Sequence, residues 1–228
     1  MKNKLKVPFF VFCVYSIFVS FSCSQAQNNH KNLVNLIEDT SLSQENRYAI
    51  INQIAQEYQQ KELYDDLILF LTKHVDTNPQ DIYNPYWLLM VASAYLKQNS
   101  EPVAEYYFDR IIQNYDDLLV KGQSIHMICL QHLIQISKNP ENRVFYFTKL
   151  ISSFPDKINI TELYARLAVE YEKLGDWDQA LKSYAMFLEQ PDAETIQISG
   201  MSNAYLKARQ TIDFSKSSQD WTFETLTD

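Results

Sequence analysis

The stretch Leu167–Asp192, LAVEYEKLGDWDQALKSYAMFLEQPD, decides how this chain is read. It holds Gly175, one of only three glycines in 228 residues, between two runs whose apolar residues recur at helical spacing. Glycine ends a helix well because it enters the left-handed region without a Cβ penalty. Asp176 then suits the cap of a second helix, which carries Ala180, Tyr184, Phe187 and Leu188 on one face. The stretch predicts two short antiparallel helices crossing at small residues, a helical hairpin.

The grid recurs upstream. A large residue late in the first helix falls at Tyr58, Tyr95, Ile134 and Tyr171, and a partner 13 residues on falls at Leu71, Phe108, Phe147 and Tyr184. Successive repeats are 37, 39 and 37 residues apart. Ala55, Ala92 and Ala168 hold the small position of the first helix, with Gln131 departing. Ala104 and Ala180 hold that of the second, with Leu67 and Arg143 departing. Pro79 and Pro155 mark closing turns, and Asn139-Pro140 offers a cap followed by a first-turn proline.

The pattern resembles the tetratricopeptide repeat. Leu167, Ala168, Tyr171, Gly175, Ala180 and Tyr184 fall at that family's spaced positions, and Pro191 and Asp192 lie at its closing turn. The resemblance implies an all-α, right-handed α-solenoid of about four hairpins, over 48–81, 85–118, 124–157 and 161–194. An N-terminal helix and linker are expected over 28–47, a capping helix over 193–213, and a tail over 214–228.

Composition narrows the function. Gly122, Gly175 and Gly200 lie too far apart to form a phosphate-cradling loop, which excludes nucleotide-binding folds built on glycine clusters. The formal charge is −8, and it becomes −11 once Lys2, Lys4 and Lys6 are removed with the N-terminal segment. Such a chain repels phosphate backbones, so nucleic acid is not an expected partner.

The opening MKNKLKVPFFVFCVYSIFVSFSCSQAQ has a lysine-rich start and an apolar run too short for a spanning helix, so 1–26 reads as an export signal. Two cuts fit. Cleavage before Cys23 in SFSC resembles a loose bacterial lipobox and would lipidate Cys23, although Ser20 stands where such motifs usually carry Leu. Cleavage after Ala26 obeys the small-x-small rule. The expected address is the periplasm or the outer membrane, with a lipid anchor in the first case. Cys129, in HMICLQHL, is expected to be a buried free thiol.

Catalytic and metal signatures are not legible in the sequence. His30, His74, His126 and His132 show no metal spacing, and the adjacent acids Asp65-Asp66 and Asp116-Asp117 point to different sides of a helix. No catalytic residue, metal or cofactor is expected. In the resembled family, fixed positions on the first helices line a concave groove. Carried over, they are Asn52 and Gln56 (with Gln59); Tyr86, Leu89, Ser93 and Lys97; Ile125, Ile128 and His132 (with Gln135); and Ala165, Val169 and Lys173. Lys97 and Lys173 are too few cations to hold a carboxylate terminus by charge-assisted bonds. An apolar strip flanked by amides suits an extended or helical polypeptide. The chain therefore reads as an envelope scaffold or adaptor, with a carrier of a small apolar ligand as the alternative. The chain's own termini are further candidates to cover the strip.

Overall fold

The computed structural model describes residues 37, 42–193 and 204–211. The expected export signal with Cys23, nearly all of 28–41 and the tail over 214–228 lie outside the described residues. Two compact units divide at Tyr83.

The first unit holds α1 (Gln44–Gln60) and α2 (Tyr64–Thr77). Ser43 caps α1, its Oγ accepting from the Asn46 amide at 3.3 Å, so the helix begins inside the segment expected to be linker. The two helices pack as a hairpin, with Ile51, Ile54 and Ala55 buried on α1 and Leu67 and Leu71 on α2. In the last turn of α2, buried His74 meets Asp81 at 2.8 Å between Nε2 and Oδ2. Asp81 Oδ1 also accepts from the Tyr83 amide, which fastens the turn around Pro79.

The second unit holds α3 (Asn84–Lys97), α4 (Glu101–Asn114), α5 (Ile125–Ile136), α6 (Pro140–Ser153), α7 (Ile160–Lys173) and α8 (Trp177–Leu188). Each helix packs on the next, and α3 also reaches α5, so first helices of successive hairpins touch. The fold is all-α and of helical-repeat type. A further helix over 204–211 covers the last hairpin: Ala204, Tyr205 and Ala208 join Ala165, Ala168, Ala180 and Tyr184 in one apolar cluster. The anchors Leu71, Phe108, Phe147 and Tyr184 are all buried. Emptying one of the aromatic anchors to Ala costs about 3–5 kcal/mol, so the grid marks where each hairpin is held.

Turn geometry repeats with the anchors. Gly175 sits at φ 73°, and the Asp176 amide bonds the Tyr171 carbonyl at 3.0 Å. Glu62 (φ 56°) and Asn99 (φ 57°) hold the same place, with Leu63 bonding Tyr58 and Ser100 bonding Tyr95. The left-handed residue thus always lies four after the Tyr anchor, and glycine fills it only once. The third hairpin differs. Helix α5 ends at Ser137 in extended backbone, and Asn139 then caps α6 by accepting from the Glu141 amide at 2.8 Å.

A short strand pair explains the 39-residue spacing. β1 (Leu119–Val120) pairs antiparallel with β2 (Gln123–Ser124) across Lys121 and Gly122, both at positive φ. That pair of conformations matches a two-residue hairpin turn of the kind that fits strand twist.

Candidate functional site

The structure puts the expected groove residues in unlike environments. In the first unit, Gln56 is exposed and Asn52 half-buried on α1. On α3, Tyr86 and Ser93 are half-buried and Lys97 exposed, while Leu89 is buried at 9 % exposure. Ser93 Oγ donates to the Leu89 carbonyl at 2.8 Å. Ile125 is wholly buried and Ala165 is 4 % exposed, so both pack the interior and offer no contact surface. Ile128 and Val169 are half-buried, and Lys173 is tied to Glu170 at 2.9 Å. His132 lies flat on Phe108, ring centroids 5.0 Å apart, and burial pushes its pKa below the ordinary imidazole value. As a stacked ring between α4 and α5 it is a packing group.

A depression in the second unit lies between α5 and α7, with a volume of about 450 Å³. Its apolar floor is Ile134, Leu150, Ile158 and Leu163. Gln131, Gln135 and Asn159 supply amides at its edge. Lys157, Glu162 and Arg166 supply charge. Of these, only Gln135 belongs to the groove positions carried over from the family. On α7 the depression uses Leu163 and Arg166, whereas the carried-over Ala165 turns toward the cluster under the 204–211 helix.

The depression lies beside the third hairpin, where the small-residue pattern is broken. Gln131 takes the place that alanine holds in the other first helices, and it is exposed. Arg143, where Ala104 and Ala180 stand in neighbouring second helices, reaches across to α7. Its Nη2 lies 2.5 Å from Glu170 Oε2, and its Nη1 donates to the Ser137 carbonyl at 3.2 Å. Glu170 is buried and accepts from both Arg143 and Lys173. A buried carboxylate is tolerated when cations and hydrogen bonds satisfy it. An arginine side chain thus ties α6 to α7 where neighbouring second helices carry alanine. Arg166 lies over the Phe147 ring at 5.2 Å, holding the guanidinium at the depression's edge.

The fourth hairpin shows the complete geometry: Ala168 and Ala180 buried at the crossing, Tyr184 buried, and Gly175 left-handed between α7 and α8. Residues 166–193 match the family model of the tetratricopeptide repeat. The other hairpins share this repeat's anchors without the full set of its small residues. No curated protein matches the chain.

The chemistry of this repeat surface is that of contact. The depression combines apolar floor, amide donors and acceptors, and charges of both signs, which is what an extended polypeptide presents in return. Among the described residues no three of His, Cys, Asp and Glu converge as a metal set, and no helix is long and apolar enough to cross a membrane. Cys129 is buried, and desolvation pushes its thiol well above the ordinary value.

Sequence reasoning did not single out Gln131, Ile134, Leu163 and Arg166, which line the depression. One signal was present: Gln131 and Arg143 broke the small-residue pattern in the same hairpin.

Proposed function

We propose that this protein is a non-catalytic tetratricopeptide-repeat scaffold of the bacterial cell envelope that binds a segment of a partner polypeptide. The observation that carries this reading is the α5–α7 depression, an open, amide-edged surface between first helices of adjacent hairpins. Repeat arrays work through such extended faces. An apolar small molecule would be served by an enclosed, mostly apolar cavity. This surface is open and rimmed by charge, which supports the polypeptide over the carrier alternative. The envelope address rests on the sequence of 1–26, with anchoring through Cys23 or release after Ala26.

The test is a photo-reactive amino acid placed at Gln135, with Gln113 on α4 as the comparison, in cells that express the full chain. A discrete partner adduct from position 135, lost on Arg166→Glu and absent at position 113, supports the proposal. Equal adducts at both positions, or none at 135, defeat it. The intact mass of the recovered chain separates the two cuts: a diacylglycerol adduct on Cys23 gives the anchored form, and an unmodified chain starting at Gln27 the released one.

A further inference from the structure

We propose that the partner segment held between α5 and α7 is extended, with an apolar and an acidic side chain two residues apart, its backbone paired by Gln131 and Gln135 and its carboxylate by Lys157. This rests on the proposed function and names the chemistry of the partner that the same surface takes.

The amides select the shape of the segment. Gln131 and Gln135 are exposed, four residues apart on α5, and both line the depression. Neither side chain is engaged in a hydrogen bond among the described residues. Four helical residues rise about 6 Å. Each amide offers donors and an acceptor together, the same two functions that a peptide unit presents. A helical partner keeps its N–H and C=O groups in its own ladder and has none to give along its length. An extended partner turns those of every second residue to one edge, about 6.5 Å apart, close to the spacing of the two glutamines. Asn159 is not counted with them, because its Oδ1 caps α7 by accepting from the Glu162 amide at 3.2 Å.

Side-chain direction then sets the second requirement. Residues two apart in an extended chain point to one face. An apolar side chain over Ile134, Leu150 and Leu163 therefore brings the side chain two positions on into the same depression. The charges there are cationic on balance, Lys157 and Arg166 against Glu162. Arg166 meets Glu162 at 3.7 Å and lies over the Phe147 ring. Lys157 is exposed and has no ion pair among the described residues. A carboxylate is the side chain that Lys157 can pair. The chain as a whole carries a formal charge of −8, so its general field repels an acidic segment and a local cation decides where one docks. Exposed pairs contribute little each, so Lys157 acts on which sequence binds more than on how tightly.

The test is a selection of random nonapeptides displayed on phage. They are panned against the mature chain recovered from cells that express the full sequence, and against its Lys157→Glu and Gln131→Leu/Gln135→Leu variants, all at exposed positions and checked for unchanged Tm. The unsubstituted chain is expected to enrich Asp or Glu two positions from Leu, Ile, Phe or Trp. Lys157→Glu is expected to enrich Lys or Arg there instead. A synthetic peptide from the first pool should bind Lys157→Glu about threefold to tenfold more weakly, a gap that narrows at high salt. The same peptide should lose affinity for the double glutamine variant, and for the unsubstituted chain once its backbone amides are N-methylated. Apolar anchors three or four residues apart, the helical spacing, overturn the proposal. So does a pool without acidic preference, a pool that Lys157→Glu leaves unchanged, or no enrichment. If a partner adduct still forms at position 135 in cells, such a result removes only the extended acidic partner and leaves the proposed function standing; absence of the adduct removes both.

Discussion

Replacing Gly175 by alanine tests the repeating turn with little else disturbed. Gly175 lies at φ 73°, and a Cβ built there meets nothing within 4 Å, so the substitution adds backbone strain without a clash. A residue bearing Cβ in the left-handed region costs about 1–2 kcal/mol. Alanine also restricts the unfolded chain, which returns about 0.4–1 kcal/mol. The net expectation is a loss of about 0.5–1 kcal/mol, or about 2–4 °C in Tm for each kcal/mol in a chain of this size. Glu62→Gly is the mirror experiment. Glu62 is exposed at φ 56° in the equivalent place, so glycine relieves the same strain and a gain of similar size is expected. Asn99→Gly should gain less, because asparagine tolerates this region better. Glu62 and Gly175 lie in different compact units, so the shifts are read by hydrogen exchange within each hairpin as well as by thermal unfolding. If Gly175→Ala stabilises its hairpin while Glu62→Gly weakens its own, the argument that one turn geometry serves both is refuted.

Other substitutions probe the α6–α7 junction and the core. Glu170→Leu alone strands Arg143 and should cost about 3–5 kcal/mol, while adding Arg143→Ala restores the alanine of neighbouring hairpins and should recover much of that loss in a double-mutant thermal cycle. Burial lowers the His132 pKa below its unfolded value near 6.5, so its stabilising contribution is full above about pH 6.5 and is lost as pH falls through the lower folded value. His132→Phe keeps the stack on Phe108 and should flatten the fall in Tm between pH 7 and pH 5; an unchanged slope would assign the acid sensitivity elsewhere. Cys129, buried with its thiol pushed upward, should resist thiol reagents at pH 8 in the folded chain and react on denaturation, and prompt labelling of the native protein would contradict its placement.

The sequence carried the fold through a few residues that physics restricts tightly. Gly175 announced a helix end, and the spacing of Tyr58, Tyr95, Ile134 and Tyr171 with their partners placed the hairpins that the structure contains. Other features left weaker traces. Glu62 and Asn99 adopt glycine's conformation with ordinary side chains, so only their register four after a tyrosine could have marked them. The strands at Leu119 and Gln123 are two residues long, too short for any alternation to appear in the sequence. The site was less legible than the fold. Leu89, Ile125 and Ala165 fall at groove positions of the resembled family, and in this chain they are buried. The break in the small-residue pattern at Gln131 and Arg143 flagged the third hairpin, but the partner of Arg143, Glu170, lies 27 residues away and no local pattern names it.

The small strand pair between the second and third hairpins has a practical use. Its tip, Lys121-Gly122, is exposed, and its base is secured where the Leu118 carbonyl receives the Ile125 amide and Asp117 receives that of His126. Foreign sequence grafted at that tip would be carried on a rigid stem without entering any helix crossing. The position suits a fluorophore, an epitope or a protease site, giving a handle on the molecule that leaves both faces of the array untouched.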